Sequence, residues 1–227
     1  MTDVLYRWPE AARFGKSIPK TKFYERVVVT PAVRARFVAE VDGITWAYKL
    51  AESTINLPPS EEVPEIQVFV VKAKGADVDN SVLTTIDKAI KQPVIFEVVS
   101  TQGTRMTATL KAGVPGGRYY STEWGQGDRR QPLPPSITLP NLYAALLDPL
   151  LPNAIRPDEQ VSDIAARLAE MSRLERDISA LTRKLKAEPQ LNRKVLLRQA
   201  LKTQQASLAD LTNPAHASTH DEELRNS

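Results

Sequence analysis

Apolar residues along this chain follow two different periods. Between residues 44 and 110 they form short β-type runs: Ile44-Thr45-Trp46-Ala47-Tyr48-Lys49-Leu50, Ile66-Gln67-Val68-Phe69-Val70-Val71 and Val94-Ile95-Phe96-Glu97-Val98-Val99. From Asp158 onward they recur at helical spacing over tens of residues. The first run alternates Ile44, Trp46, Tyr48 and Leu50 on one face. By contrast Val68-Phe69-Val70-Val71 is apolar on both faces, as in an interior strand covered on both sides. A fourth strand is predicted over Thr104 to Lys111, where Met106, Ala108 and Leu110 alternate with polar residues. The short turn around Gln102-Gly103 makes it an antiparallel neighbour of the 94–100 run. Arg118 to Trp124 is a candidate for one more short strand.

Helices are predicted between these strands. Thr30-Pro31 places proline at the first helical position after an N-cap, starting a helix to about Val41 with the stripe Val33, Phe37, Val38 and Val41. Asp42-Gly43 is its expected stop. Asn80 or Ser81 caps a second helix with Leu83, Ile86 and Ile90 inward, and Pro93 blocks its continuation. That strand–helix–strand unit is long enough for a right-handed crossover. A third helix, about Asn141 to Leu150, carries Leu142, Tyr143, Leu146 and Leu147 toward the sheet, after an extended connector over Gln131 to Pro135. The expected fold for residues 1–156 is α+β (or α/β), a mixed β-sheet with flanking helices.

The second period begins with Ile164, Leu168 and Met171. Leu174, Ile178, Leu181 and Leu185 follow after a three-residue step that resembles a stammer. The pattern halts at Ala187-Glu188-Pro189-Gln190 and restarts in Leu197, Leu201, Gln204, Leu208 and Leu211. Residues 157–212 are therefore expected to form a C-terminal antiparallel coiled-coil helical hairpin. Residues 213–227 read as a polar, disordered tail.

Composition changes this picture in two ways. The chain has 227 residues, 42% of them hydrophobic, and no cysteine. That is enough for a core, and it excludes a disulfide framework and thiolate metal sites. With no secretory apolar segment near Met1, the expected compartment is the reducing cytoplasm. No apolar run approaches the roughly 20 residues that span a bilayer, so no membrane association is expected. The net charge is only +3, with a pI near 9.1, which directs attention to where the cations cluster.

They cluster in two places. Arg183, Lys184, Lys186, Arg193, Lys194 and Arg198 flank the hairpin turn, and Glu188 is the only acid between Arg183 and Arg198. Such a tip can neutralise phosphates. It equally fits a solvated coiled-coil surface or a docking surface for an acidic partner. In the N-terminal segment, Lys16, Lys20 and Lys22 are interleaved with Tyr6, Trp8, Phe14, Phe23 and Tyr24. That pattern suits nucleic-acid binding or aromatics pinning the segment onto the core.

Enzymatic signals are sparse. Glu65, Gln67, Asp77, Glu97, Lys72 and Lys74 lie near strands, which invites comparison with metal-dependent nucleases whose carboxylates converge on a divalent cation. Gln67, however, stands where lysine would complete an acidic-x-Lys triplet with Glu65. His216 and His220 lie four apart in the tail without a third ligand nearby. The Gly113 to Gly117 stretch has no Lys-Ser or Lys-Thr for a phosphate loop. No catalytic residue, cofactor or metal is expected.

Six ordered segments resemble one family: Lys20-Thr21-Lys22-Phe23-Tyr24, Ile44-Thr45-Trp46-Ala47-Tyr48-Lys49-Leu50, Glu65-Ile66-Gln67-Val68-Phe69, Ile86-Asp87-Lys88-Ala89-Ile90, Tyr119-Tyr120-Ser121-Thr122-Glu123-Trp124 and Leu191-Asn192-Arg193-Lys194-Val195. They look like the DUF4391 domain of unknown function over nearly the whole chain. The resemblance implies a bacterial protein often encoded beside helicases and DNA methyltransferases of restriction-type or antiphage defence loci. It supplies no catalytic residues. Three functions are therefore expected in turn. The first is a non-enzymatic accessory or adaptor subunit binding a helicase or methyltransferase partner. The second is a nucleic-acid-binding module using the basic tip, and the third a divergent metal-dependent nuclease. Homo-oligomerisation through the hairpin is a further expectation.

Overall fold

The three apolar runs pair side by side and form the centre of a six-stranded sheet. The computed structural model describes residues 5–110, 117–126, 129–156 and 159–213. It divides into two units, Met1–Pro152 and Asn153–Ser227. The expectations for Gly113, for His216 and His220 and for the tail from Pro214 onward fall outside the described residues.

The first unit runs β1 (Arg13–Ser17), α1 (Thr21–Tyr24), α2 (Pro31–Glu40), β2 (Val41–Leu50), α3 (Glu52–Ile55), β3 (Ile66–Ala73) and α4 (Asn80–Ala89). It continues with β4 (Val94–Ser100), β5 (Gly103–Thr109), β6 (Tyr119–Ser121) and α5 (Leu139–Leu147). Spatial strand order equals chain order. Only β3 and β4 pair in parallel, and α4 makes the crossover between them. The β4–β5 hairpin is antiparallel, with Glu97 opposite Met106. The fold is thus α+β, with one mixed sheet and flanking helices.

Strand alternation sorts the core onto two faces. Phe37, Ile44, Phe69, Val71, Val82, Leu83, Ile86, Phe96 and Val98 belong to one buried cluster, which joins α2 and α4 to one side of the sheet. A row of rings crosses that side: Trp46, Phe69, Phe96 and Tyr119, with successive centroids 5.9, 6.5 and 6.3 Å apart. Glu97, next to Phe96 in β4, points to the opposite face and is buried. There Trp8 Nε1 donates to Glu97 Oε1 at 2.7 Å. Arg130 Nη1 and Nη2 donate to Oε1 and Oε2 at 2.7 and 2.8 Å, and Nη1 also reaches Tyr6 O at 2.8 Å. The aromatic N-terminal segment is therefore pinned to the middle of the sheet by a two-pronged ion pair.

Several local expectations are corrected. Helix α2 ends at Glu40 and β2 begins at Val41, so Asp42-Gly43 lies within a strand. A register shift between Val41 and Gly43 accommodates these residues. Val38 is exposed, while Phe37 anchors the helix. A second register shift between Trp46 and Tyr48 breaks the simple alternation. Ile44 and Trp46 pack in the helix-side cluster, but the Tyr48 ring lies near Trp8 on the other face. Asp79 caps α4, its carboxylate accepting the Ser81 N–H at 2.8 Å. Strand β1 and helix α3 had no periodic signal because each is short.

In the second unit, α6 (Val161–Ala187) and α7 (Leu191–Thr212) pack together and are joined by three residues. Arg156 Nη2 donates to Asp210 O, Leu211 O and Asn213 O at 3.1 to 3.2 Å. It thus caps the end of α7 from the chain just before α6, which makes the pair antiparallel. Leu197, Leu201, Gln204, Leu208 and Leu211 are all half-buried, as their seam positions require. The base is tied by Arg167, whose Nε and Nη2 donate to Glu159 at 2.6 and 2.8 Å.

Burial by itself would raise the Glu159 carboxyl. The Arg167 and Arg156 hydrogen bonds and guanidinium charges outweigh it and hold the group below its ordinary value of 4.5. A depressed folded-state pKa gives stability that is complete above the unfolded value and lost as pH falls through the folded one. Melting of the wild type is thus expected to fall more steeply than that of Glu159→Gln below pH 4.5. Parallel slopes for the two proteins across that range would show the pair to be inert.

Candidate functional site

The hairpin tip gathers cations at both helix ends, favourably at one and unfavourably at the other. Helix α6 stops because Pro189 cannot continue it, and Lys184 and Lys186 in its last turn suit the negative end of the helix dipole. Helix α7 starts at Leu191 with no side-chain cap and no acid in its first turn. It places Arg193 and Lys194 beside its positive end instead. Each such cation is unfavourable by about 0.3–1 kcal/mol at low salt.

No ion pair among the described residues offsets them. Arg183, Lys184, Lys186, Arg193 and Arg198 are exposed and Lys194 is half-buried. None of the six forms an ion pair among the described residues, whereas Arg173, lower on α6, is held by Glu170 at 2.5 Å and Asp177 at 3.4 Å. The one local acid, Glu188, accepts the Gln190 N–H at 3.0 Å. Apolar groups are exposed at the same end of the hairpin: Leu191 is 71% exposed, Val195 53% and Leu196 66%. Leu196 and Leu197 line a groove of about 440 Å³ with Ala187, Glu188, Lys184 and Arg193. The helical period does not mark Leu191, Val195 and Leu196, because it places Leu197 on the seam. The available signal was Leu191 and Val195, four residues apart and off that seam.

The N-terminal lysines have different surroundings. Lys20 Nζ donates to Phe37 O at 2.9 Å and Val41 O at 2.6 Å, so it closes the end of α2. Burial lowers its pKa, and Lys74 lowers it further. Lys22 pairs with Glu25 at 2.9 Å, and Lys16 lies 4.7 Å from the Phe14 ring centre.

The carboxylates weighed for metal chemistry are dispersed, each beside its own cation. Glu65 lies 2.6 Å from Lys49 Nζ and accepts from Gln67 Nε2 at 2.7 Å. Asp77 is 2.9 Å from Arg105, and Glu97 faces Arg130 on the other side of the sheet. Among the described residues no group of three or more His, Cys, Asp or Glu side chains is placed to hold a metal ion. No helix among them is long and apolar enough to cross a membrane.

No curated protein and no solved structure matches the chain. A family model does, over residues 7–208, which takes in the sheet, its helices and nearly all of the hairpin. The chain therefore belongs to the DUF4391 family, a domain of unknown function.

Proposed function

We propose that this protein is a non-enzymatic accessory or adaptor subunit that acts by binding another protein through the hairpin tip. The observation that carries this reading is the exposure of Leu191, Val195 and Leu196 on one end of the hairpin. Apolar surface kept in water beside unpaired charge is characteristic of a docking site. The family resemblance points to a bacterial restriction-type or antiphage complex, with a helicase or DNA methyltransferase as partner, and the lack of cysteine suits the reducing cytoplasm.

The test is co-purification from the native host, comparing the wild type with Leu191→Ser/Val195→Ser/Leu196→Ser. The expected result is a stoichiometric partner retained by the wild type and lost from the variant. Stability should change by no more than about 0.5 kcal/mol per exposed site. Equal retention by both proteins would remove the tip from the reading.

The unpaired cations favour a second reading, a nucleic-acid-binding module that contacts phosphates. It requires salt-sensitive, sequence-tolerant DNA binding by the isolated chain. Neutralising Lys184, Lys186, Arg193, Lys194 and Arg198 should then abolish that binding, each lost contact reducing the salt slope by about 1. Identical salt curves for the wild type and the neutralised variant would exclude it. The third reading, a divergent nuclease, requires magnesium-dependent cleavage.

A further inference from the structure

Resting on the tip as a docking surface, we propose that its occupant is an acidic amphipathic helix of a partner protein, laid along the groove between the end of α6 and the start of α7. Two features of the tip select that chemistry. The groove is lined by the aliphatic side chains of Ala187, Leu196 and Leu197 and by two cations, Lys184 and Arg193, against one acid, Glu188. A helix presenting apolar side chains at every third and fourth position fills such a groove. Acidic residues flanking those positions would meet Lys184 and Arg193, and also the start of α7, whose first turn holds no acid and whose entry is met by Glu188 through the Gln190 N–H at 3.0 Å.

Other occupants use only part of this surface. A phosphate backbone pairs with the cations but gains nothing from Leu191, Val195 and Leu196. A second copy docking tip to tip would bring two clusters of six cations together with only one Glu188 on each side. An acidic amphipathic helix satisfies both the charge and the apolar surface.

The test uses the full chain and a labelled synthetic peptide of about 16 residues, long enough to hold a helix. It carries leucines at helical spacing and glutamates elsewhere. Three controls are the same peptide with lysine for glutamate, the same with serine for leucine, and a duplex DNA. The acidic amphipathic peptide should bind with measurable affinity, and both altered peptides at least about tenfold more weakly. Lys184→Glu/Arg193→Glu/Arg198→Glu and the triple serine variant of residues 191, 195 and 196 should each weaken it by a similar factor. Absence of binding, or equal binding of the serine peptide, would overturn the proposal. DNA binding that is lost in the charge variant but kept in the serine variant would assign the tip to phosphates instead. A native partner captured by the wild type and by the charge-reversed variant, but not by the serine variant, would leave the adaptor reading standing and remove its acidic chemistry.

Discussion

Arg130→Met is expected to destabilise the sheet unit by about 3–5 kcal/mol, the cost of stripping a buried charge of its partner. The effect falls on Glu97, whose side chain is 3% exposed while that of Arg130 is 32% exposed. With the guanidinium gone, the Trp8 indole N–H at 2.7 Å is what remains against that carboxylate among the described residues. Glu97→Gln should be milder, because the amide removes the buried charge while the half-exposed guanidinium can turn toward water. Glu97→Leu combined with Arg130→Met should be less harmful than Arg130→Met alone, since no unpaired carboxylate remains. Denaturant unfolding of the four proteins measures this. A loss below about 1 kcal/mol for Arg130→Met would show that water already screens the pair. The pair also joins Tyr6 and Trp8 to the sheet, so increased proteolysis near residues 5–12 should accompany the loss.

The fold was legible where one period runs long enough to outweigh local noise. The β3, β4 and β5 runs, the α4 crossover and both hairpin helices declare themselves through apolar spacing, and the structure keeps them within a few residues. What escaped notice depends on contacts between residues distant in sequence. Strand β1 has exposed residues at four of its five positions, so no alternation marks it. It forms because β2 offers an edge to pair with. The start of β2 was masked by Asp42-Gly43, a helix stop by composition that is absorbed into a strand as a register shift. Glu97 looked like a possible metal ligand because its partners, Trp8 and Arg130, lie 89 and 33 residues away in the chain.

The candidate site was half legible. Six cations in sixteen residues with one acid is a pattern of composition, visible in the sequence alone. Of the exposed Leu191, Val195 and Leu196 the sequence carries only the off-seam spacing of the first two, since an aliphatic residue in a helical repeat is ordinarily assigned to the seam. Only packing shows that α7 has no buried residue and that these three project from it. The lysines at the N-terminus show the converse. Lys20 reads as a free cation by sequence but spends its ammonium on the carbonyls of Phe37 and Val41.

Phe69→Ala should cost about 3–5 kcal/mol, comparable to the loss of the Arg130 ion pair but by a different mechanism. The ring is 4% exposed in the middle of β3. It stacks on Trp46 at an interplanar angle of 10° and meets Phe96 at 6.5 Å between centroids. Truncation removes the ring contacts to both flanking strands, β2 and β4, and leaves a void in the cluster that α2 and α4 share with the sheet, which close packing fills only in part. Phe69→Leu keeps part of the buried area and should lose less. Val38→Ala, at an aliphatic that is 60% exposed, should stay within about 0.5 kcal/mol and serves as the control. Because Trp46 loses its stacked neighbour, the near-ultraviolet dichroism of folded Phe69→Ala should also weaken, a change that stability loss alone would not produce. A cost below about 1 kcal/mol, or an unchanged tryptophan signal, would place Phe69 at the margin of the core rather than at its centre.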